Sequence, residues 1–210
     1  MSIENRFGRH MLAASAVAIA TAVSANAAVL RWNCNLNIPA TSAGLFINVQ
    51  TQVSGTTTAA VLGWDFNLYT TSQSSASLTM YGYTGTQFMK APGQFGNWPG
   101  NIEDGTEVSP ASRWLLPDTD YNAVFNASGQ TAAGAWNYNS SNYFGFRFVA
   151  NDGFTHYGYG RMDVGANANI RTLKWIDWET TPNTGIAVLP APGVLAVLGL
   201  AGFGRSRRRS

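Results

Sequence analysis

The sequence predicts an all-β fold, an antiparallel β-sandwich of jelly-roll type, on three observations. Apolar and polar residues alternate over several short runs, the period of a strand with one face packed and the other in water. Clusters of Gly, Pro, Asn and Asp punctuate those runs, as turns require. Between Ala28 and Leu189 no apolar stripe keeps the 3.6-residue spacing of a helix. Many short strands with such turns pack as sandwiches or jelly rolls. The 210 residues divide into a signal peptide (1–27), a β domain (28–187) and a C-terminal tail (188–210) with a short apolar anchor helix.

The N-terminus reads as a secretory signal. Arg6, Arg9 and His10 form a basic n-region, and Met11 to Val23 an apolar h-region. Ala25-Asn26-Ala27 satisfies the small-residue cleavage rule, placing the mature N-terminus at Ala28. The single cysteine, Cys34, follows Arg31-Trp32-Asn33, which is not a lipobox, and one thiol cannot form an internal disulfide. It falls on the apolar face of a strand, as a buried inert thiol.

The strands follow in order. Leu30, Trp32, Cys34, Leu36 and Ile38 alternate with Arg31, Asn33, Asn35 and Asn37. Leu45, Ile47, Val49 and Val53 form the next apolar row, and Trp64, Phe66 and Leu68 a third, against Asp65 and Asn67. Leu78 and Met80 continue the pattern, as do Phe144, Phe146 and Phe148 around Gly145 and Arg147. Thr155–Val164 and Ile170–Glu179 are aromatic-rich strands. Asn151-Asp152-Gly153 between Tyr143–Ala150 and Phe154–Val164 predicts a hairpin. The rows Leu30, Trp32, Cys34, then Leu45, Ile47, Val49, then Phe144, Phe146, Phe148 are expected to share one core. Ala91–Asp118, with four prolines and Trp98, reads as a long loop unable to pair regularly, of the kind that carries function. Asn126–Asn142, with Trp136 and Tyr138, reads as a second soft stretch.

Charge narrows the function. The whole chain is formally +2, but Ala28–Leu189 holds seven Lys or Arg against ten Asp or Glu, a net of −3. No basic face for nucleic acid is visible. Zinc needs several His or Cys ligands, and the mature chain has His156 and Cys34 alone; His156 is expected to hydrogen-bond within its strand. No cofactor is expected. Glu103, Asp104 and Glu107 are a candidate calcium set, since Ca²⁺ takes clustered oxygens. Glu103 and Glu107 could also form the carboxylate pair of a glycoside hydrolase. Trp98, Trp114, Trp136 and Tyr138 lie in or near loops and are candidate sugar-stacking residues, with the alternative that they cap the core.

The C-terminus joins Pro190-Ala191-Pro192-Gly193, an apolar run Val194–Phe203, and Arg205, Arg207, Arg208 and Arg209. The run is too short for an ordinary span of ~20 residues, and arginines in this position stay cytoplasmic. This tail resembles the PEP-CTERM sorting signal of bacterial exosortase substrates, with Ala191 where the name-giving motif has glutamate. The resemblance extends inward. Gly145-Phe146-Arg147-Phe148, His156-Tyr157-Gly158-Tyr159 and Trp178-Glu179-Thr180-Thr181-Pro182 resemble the "G-F-R-F", "H-Y-G-W" and "Y-E-T-T-P" segments that precede the tail in that group. Tyr159 stands in the place of the common tryptophan and Trp178 in that of the tyrosine. The segments from Leu45 to Val49 and Trp64 to Tyr69 also look like early segments of the group.

The resemblance implies a non-enzymatic protein, secreted or on the surface of a Gram-negative-type bacterium, or in its exopolysaccharide matrix. Its partners would be the secretion machinery, an exosortase-type processing enzyme, exopolysaccharide and, transiently, the inner membrane. The alternative is a lectin-like carbohydrate-binding module, and a distant third is a glycoside hydrolase.

Overall fold

A computed structural model describes residues 28–70, 77–90, 97–126 and 136–189. The h-region, Ala25, Ala27, the Pro190–Gly193 motif and the arginine cluster lie outside the described residues. The chain is all-β. Its strands run β1 (Val29–Trp32), β2 (Leu36–Asn37), β3 (Leu45–Asn48), β4 (Val53–Gly55), β5 (Phe66–Tyr69), β6 (Ser77–Gly82) and β7 (Gln87–Phe88). They continue as β8 (Glu107–Val108), β9 (Asp120–Asn126), β10 (Trp136–Asn137), β11 (Ser140–Val149), β12 (Thr155–Val164), β13 (Arg171–Glu179) and β14 (Ile186–Ala187). A 3₁₀ turn, Thr58–Ala60, follows β4.

Two sheets form the body. The first runs β1-β13-β12-β11-β7, with β2 continuing beyond β1 along β13; the second runs β10-β9-β6-β5-β3-β4. Pairing is antiparallel except for β10 on β9. A ribbon of β8 and β14 lies apart. The expected hairpin is present: β11 and β12 pair from Ser140↔Val164 to Val149↔Thr155 around Asn151-Asp152-Gly153, with Gly153 at φ 80°, a conformation glycine adopts without strain.

Both sheets contribute to one apolar cluster, including Ile47, Phe66, Leu68, Leu78 and Met80 from the second and Phe144, Phe146, Phe148, Ile176 and Trp178 from the first. The phenylalanine row of β11 is fully buried, and the Phe66 ring meets those of Phe144 and Phe146 at 6.1 and 5.4 Å. Such offset and edge contacts add to area burial. Phe144 and Phe146 stand opposite Gly160 and Gly158 of β12. A Cβ on Gly160 would lie 2.4 Å from Phe144 Cζ: the glycines leave room for the rings.

The expected rows hold at their centres and fail at their ends. Leu45, Ile47 and Val49 are buried, but Val53, beyond a turn, is 42% exposed. Leu30 is 46% exposed because β1 is an edge strand; Trp32 and Cys34 pack against the core half-buried. The run from Leu30 to Ile38 is broken at Asn35, which adopts φ 48°, so β1 and β2 pair β13 in separate registers. Cys34 Sγ lies 3.4 Å from the Leu173 carbonyl, and burial raises its thiol pKa. In the third row Phe66 and Leu68 are fully buried in the core, and Trp64 alone leaves the core face. It precedes β5, and Asp65 is drawn inward to accept the Val49 N–H at 2.7 Å.

Candidate functional site

The described part of the long loop, 97–118, is fastened to the first sheet. Gly100 N–H donates to the Met89 carbonyl and Ile102 N–H to that of Tyr143, while β8 pairs β14. Val108, Ile102, Ile186 and Val188 form a second apolar cluster with Tyr157 and Tyr159. The loop therefore covers the outer face of the first sheet, and the expectation that it could not pair is corrected to that extent. Its prolines donate nothing, yet the Pro99 carbonyl accepts from Trp136 Nε1 at 2.9 Å.

Trp136 and Tyr138 pack with the main core and Trp114 with the second cluster. Trp136 is fully buried and stacks on Phe144 at 6.4 Å. Its indole caps the core, and β10 replaces part of the soft stretch. Tyr138 is half-buried against the same core. Trp114 packs on Tyr157 at 5.8 Å, under the Arg147 guanidinium at 4.9 Å. Trp98 is half-buried. Trp136, Tyr138 and Trp114, joined to these clusters, lose the open faces that sugars need.

The acidic residues of the loop do not gather. Glu103 and Asp104 sit in an exposed turn closed by Thr106 N–H on the Glu103 carbonyl, while Glu107 begins β8. No group of three His, Cys, Asp or Glu among the described residues could hold a metal ion, so the calcium set is not assembled. Glu107 lines a cleft of about 380 Å³ together with Lys90, Ser112 and Arg113; Glu103 is not in its wall. A carboxylate pair across this cleft is therefore missing. His156 is buried, with Nδ1 2.8 Å from the Glu179 carbonyl and Nε2 3.0 Å from Asp152 Oδ2. Its partners lie outside its own strand, and it ties Asp152 of the β11–β12 turn to the end of β13.

A different surface does bring rings and polar groups together. On the outer face of the second sheet, Phe46, Asn67, Tyr81 and Asp120 stand side by side across β3, β5, β6 and β9. Tyr69, Thr79 and Asn122 form the next row. Trp64, turned out of the core, joins this face. It stacks on Tyr83 at 4.5 Å and 16°, lies 5.8 Å from Tyr81 and meets Phe46 edge-on at 4.9 Å. Tyr83 is 43% exposed; Phe46, Trp64 and Tyr81 are half-buried. Thr79 donates to Asn122 Oδ1 at 2.9 Å. Burial, and then the hydrogen bond to Asp120, push the Tyr69 phenol well above its usual range. The sequence reading missed this strip because it assigned Trp64 to the core row. The available signal was the opposite parity: Asn67 and Tyr69, Thr79 and Tyr81, Asp120 and Asn122.

The outer face of the first sheet carries charge instead. Arg31 grips buried Asp177 through two bonds, Nε at 2.7 Å and Nη2 at 2.5 Å. The hydrogen bonds to Asp177 raise the Arg31 pKa. The Trp175 ring lies between the guanidiniums of Arg31 and Arg161, 5.0 and 4.6 Å from its centroid. The Arg31 contact ties β1 to β13, and the Arg161 contact ties β12 to β13.

Comparison of the chain with family models, curated proteins and solved structures gives no match.

Proposed function

We propose that this chain is a non-enzymatic secreted or cell-surface protein, or one of an exopolysaccharide matrix, sorted by an exosortase-type system. Its body, residues 28–187, is taken as a β-sandwich of jelly-roll type. The observation that carries the reading is where the chain spends its chemistry. Trp136, His156 and the aromatic run of β11 serve packing, and the long loop covers a sheet, leaving one carboxylate in the cleft. Exported protein should begin at Ala28, and protein at the surface should lack Arg205–Ser210. Mass spectrometry reads both ends; a surface protein that keeps its arginine cluster removes the sorting reading.

A second reading, a lectin-like module, is favoured by the strip of Phe46, Trp64, Tyr81 and Tyr83 with its polar neighbours. Ring faces beside the exposed Asp120 and Asn122 side chains suit neutral sugars. A glycan array would show selective, saturable binding that Tyr83→Ala weakens by about 1–3 kcal/mol, the scale of one large apolar contact, without lowering Tm. Binding that Tyr83→Ala leaves intact would put the sugar elsewhere, and an empty array returns the strip to the first reading.

A further inference from the structure

We infer that Glu179 is the receiving site for the α-ammonium group created when the signal peptide is removed. This rests on the reading of Ala25-Asn26-Ala27 as a cleavage signal. Glu179 closes β13 opposite Val29 of β1 and is 1% exposed. Its Oε1 accepts the Ala28 N–H at 3.1 Å and the Thr181 N–H at 2.7 Å. The Ala28 carbonyl accepts from Thr180 N–H at 3.0 Å, so Ala28 is held through both its N–H and its carbonyl. Ion pairs among the described residues include Arg31–Asp177, His156–Asp152 and Arg161–Asp163. None of them includes Glu179. A carboxylate buried against two neutral donors is expensive unless a cation joins it.

Processing supplies that cation on an atom already in contact. Hydrolysis of the Ala27–Ala28 peptide breaks the C–N bond and adds water. The carboxylate stays on Ala27, and the freed Ala28 amine takes up a proton. An ordinary α-amine has a pKa of about 7.7–8.0, so at neutral pH it is mostly an ammonium. A neutral hydrogen bond becomes a charge-assisted one, roughly twice as strong, with no movement of the chain. The edge strand β1, whose Val29 and Leu30 are exposed, thereby gains an anchor only in the processed protein. The Trp178-Glu179-Thr180-Thr181-Pro182 segment acquires a role: it forms the socket for the mature N-terminus.

The test compares the chain from Ala28 to Ser210 in three forms: with a free α-amine, with the amine acetylated, and with Ala27 retained. Acetylation or the extra residue should lower Tm by at least about 3 °C, an amount readily resolved for a domain of this size. It should also speed hydrogen exchange of the β1 amides about tenfold. In Glu179→Gln the three forms should coincide. NMR titration of the free amine in the unsubstituted chain, which needs no folded variant, should give a pKa at least one unit above the ordinary range. Equal Tm values in the three forms, an ordinary amine pKa, or a Tm difference that survives Glu179→Gln each overturn the proposal. The cleavage reading fails separately, if exported protein begins at a residue other than Ala28.

Discussion

The pairing of Phe144 with Gly160 carries a prediction whose sign depends on packing. Glycine inside a strand normally destabilises by about 0.5–1 kcal/mol relative to alanine, so Gly160→Ala on an open face would stabilise. Here the new methyl would sit 2.4 Å from Phe144 Cζ and 2.6 Å from Cε1. The ring cannot easily retreat, because it is buried against Phe66 and Phe88, both 6.1 Å away, and stacks on Trp136. Overpacking of this kind costs about 1–3 kcal/mol. Phe144→Ala alone should cost about 3–5 kcal/mol. In the double variant the methyl enters the space the ring has left, so adding Gly160→Ala to Phe144→Ala should be neutral or stabilising. The coupling is then about 1–4 kcal/mol, outside the ~0.5 kcal/mol within which independent sites add. Urea unfolding of the four proteins, with unchanged m values, measures it. A stabilising Gly160→Ala in the unsubstituted background, or additive effects, would refute the packing argument.

Phe146→Ala should lose about 3–5 kcal/mol for a fully buried ring; a loss under about 1 kcal/mol in chemical denaturation would place the ring at the surface. Trp136→Phe keeps an aromatic plug but removes the bond to the Pro99 carbonyl, so stability should fall by about 1–3 kcal/mol while any glycan affinity is unchanged. Burial pushes the Asp65 carboxyl from 3.8 up to about 7. The folded protein therefore binds this proton more tightly than the unfolded chain. That contribution is fully present below about pH 4 and is lost as pH rises through about 7. Asp65→Asn, whose amide oxygen can still accept the Val49 N–H, should remove this slope and be the more stable form at pH 8, by on the order of 4 kcal/mol. Denaturant midpoints of both proteins between pH 4 and 8 report it; parallel curves would show that Asp65 ionises freely.

Much of the core was legible because it sits on regular strands. Phe144, Phe146 and Phe148 keep period two without interruption in the long β11, and Asn151-Asp152-Gly153 closes the hairpin beside them. The candidate surface was not legible. Its key residue, Trp64, shares parity with Phe66 in the sequence, but β5 starts at Phe66, and the irregular backbone before it turns Trp64 to the opposite face. The loop tryptophans carried two readings, sugar stacking or capping the core, between which local spacing does not choose. Pro and Gly around Trp98 and Trp114 mark irregular backbone, and irregular backbone can still be laid down on a sheet.

The sequence by itself determined the all-β class, the strand–turn–strand order and which side chains share a strand face, because these depend on spacing along the chain. It also supplied the export and sorting expectations, which depend on the order of charged, apolar and small residues. Only the tertiary structure decided which strands lie at edges, leaving Leu30 and Val53 exposed, and which sheet the loop covers. It alone brought Trp64 to Tyr83, Arg31 to Asp177 and Ala28 to Glu179. The last two pairs lie 146 and 151 residues apart in sequence. Such contacts follow from strand order and register, which no local pattern encodes.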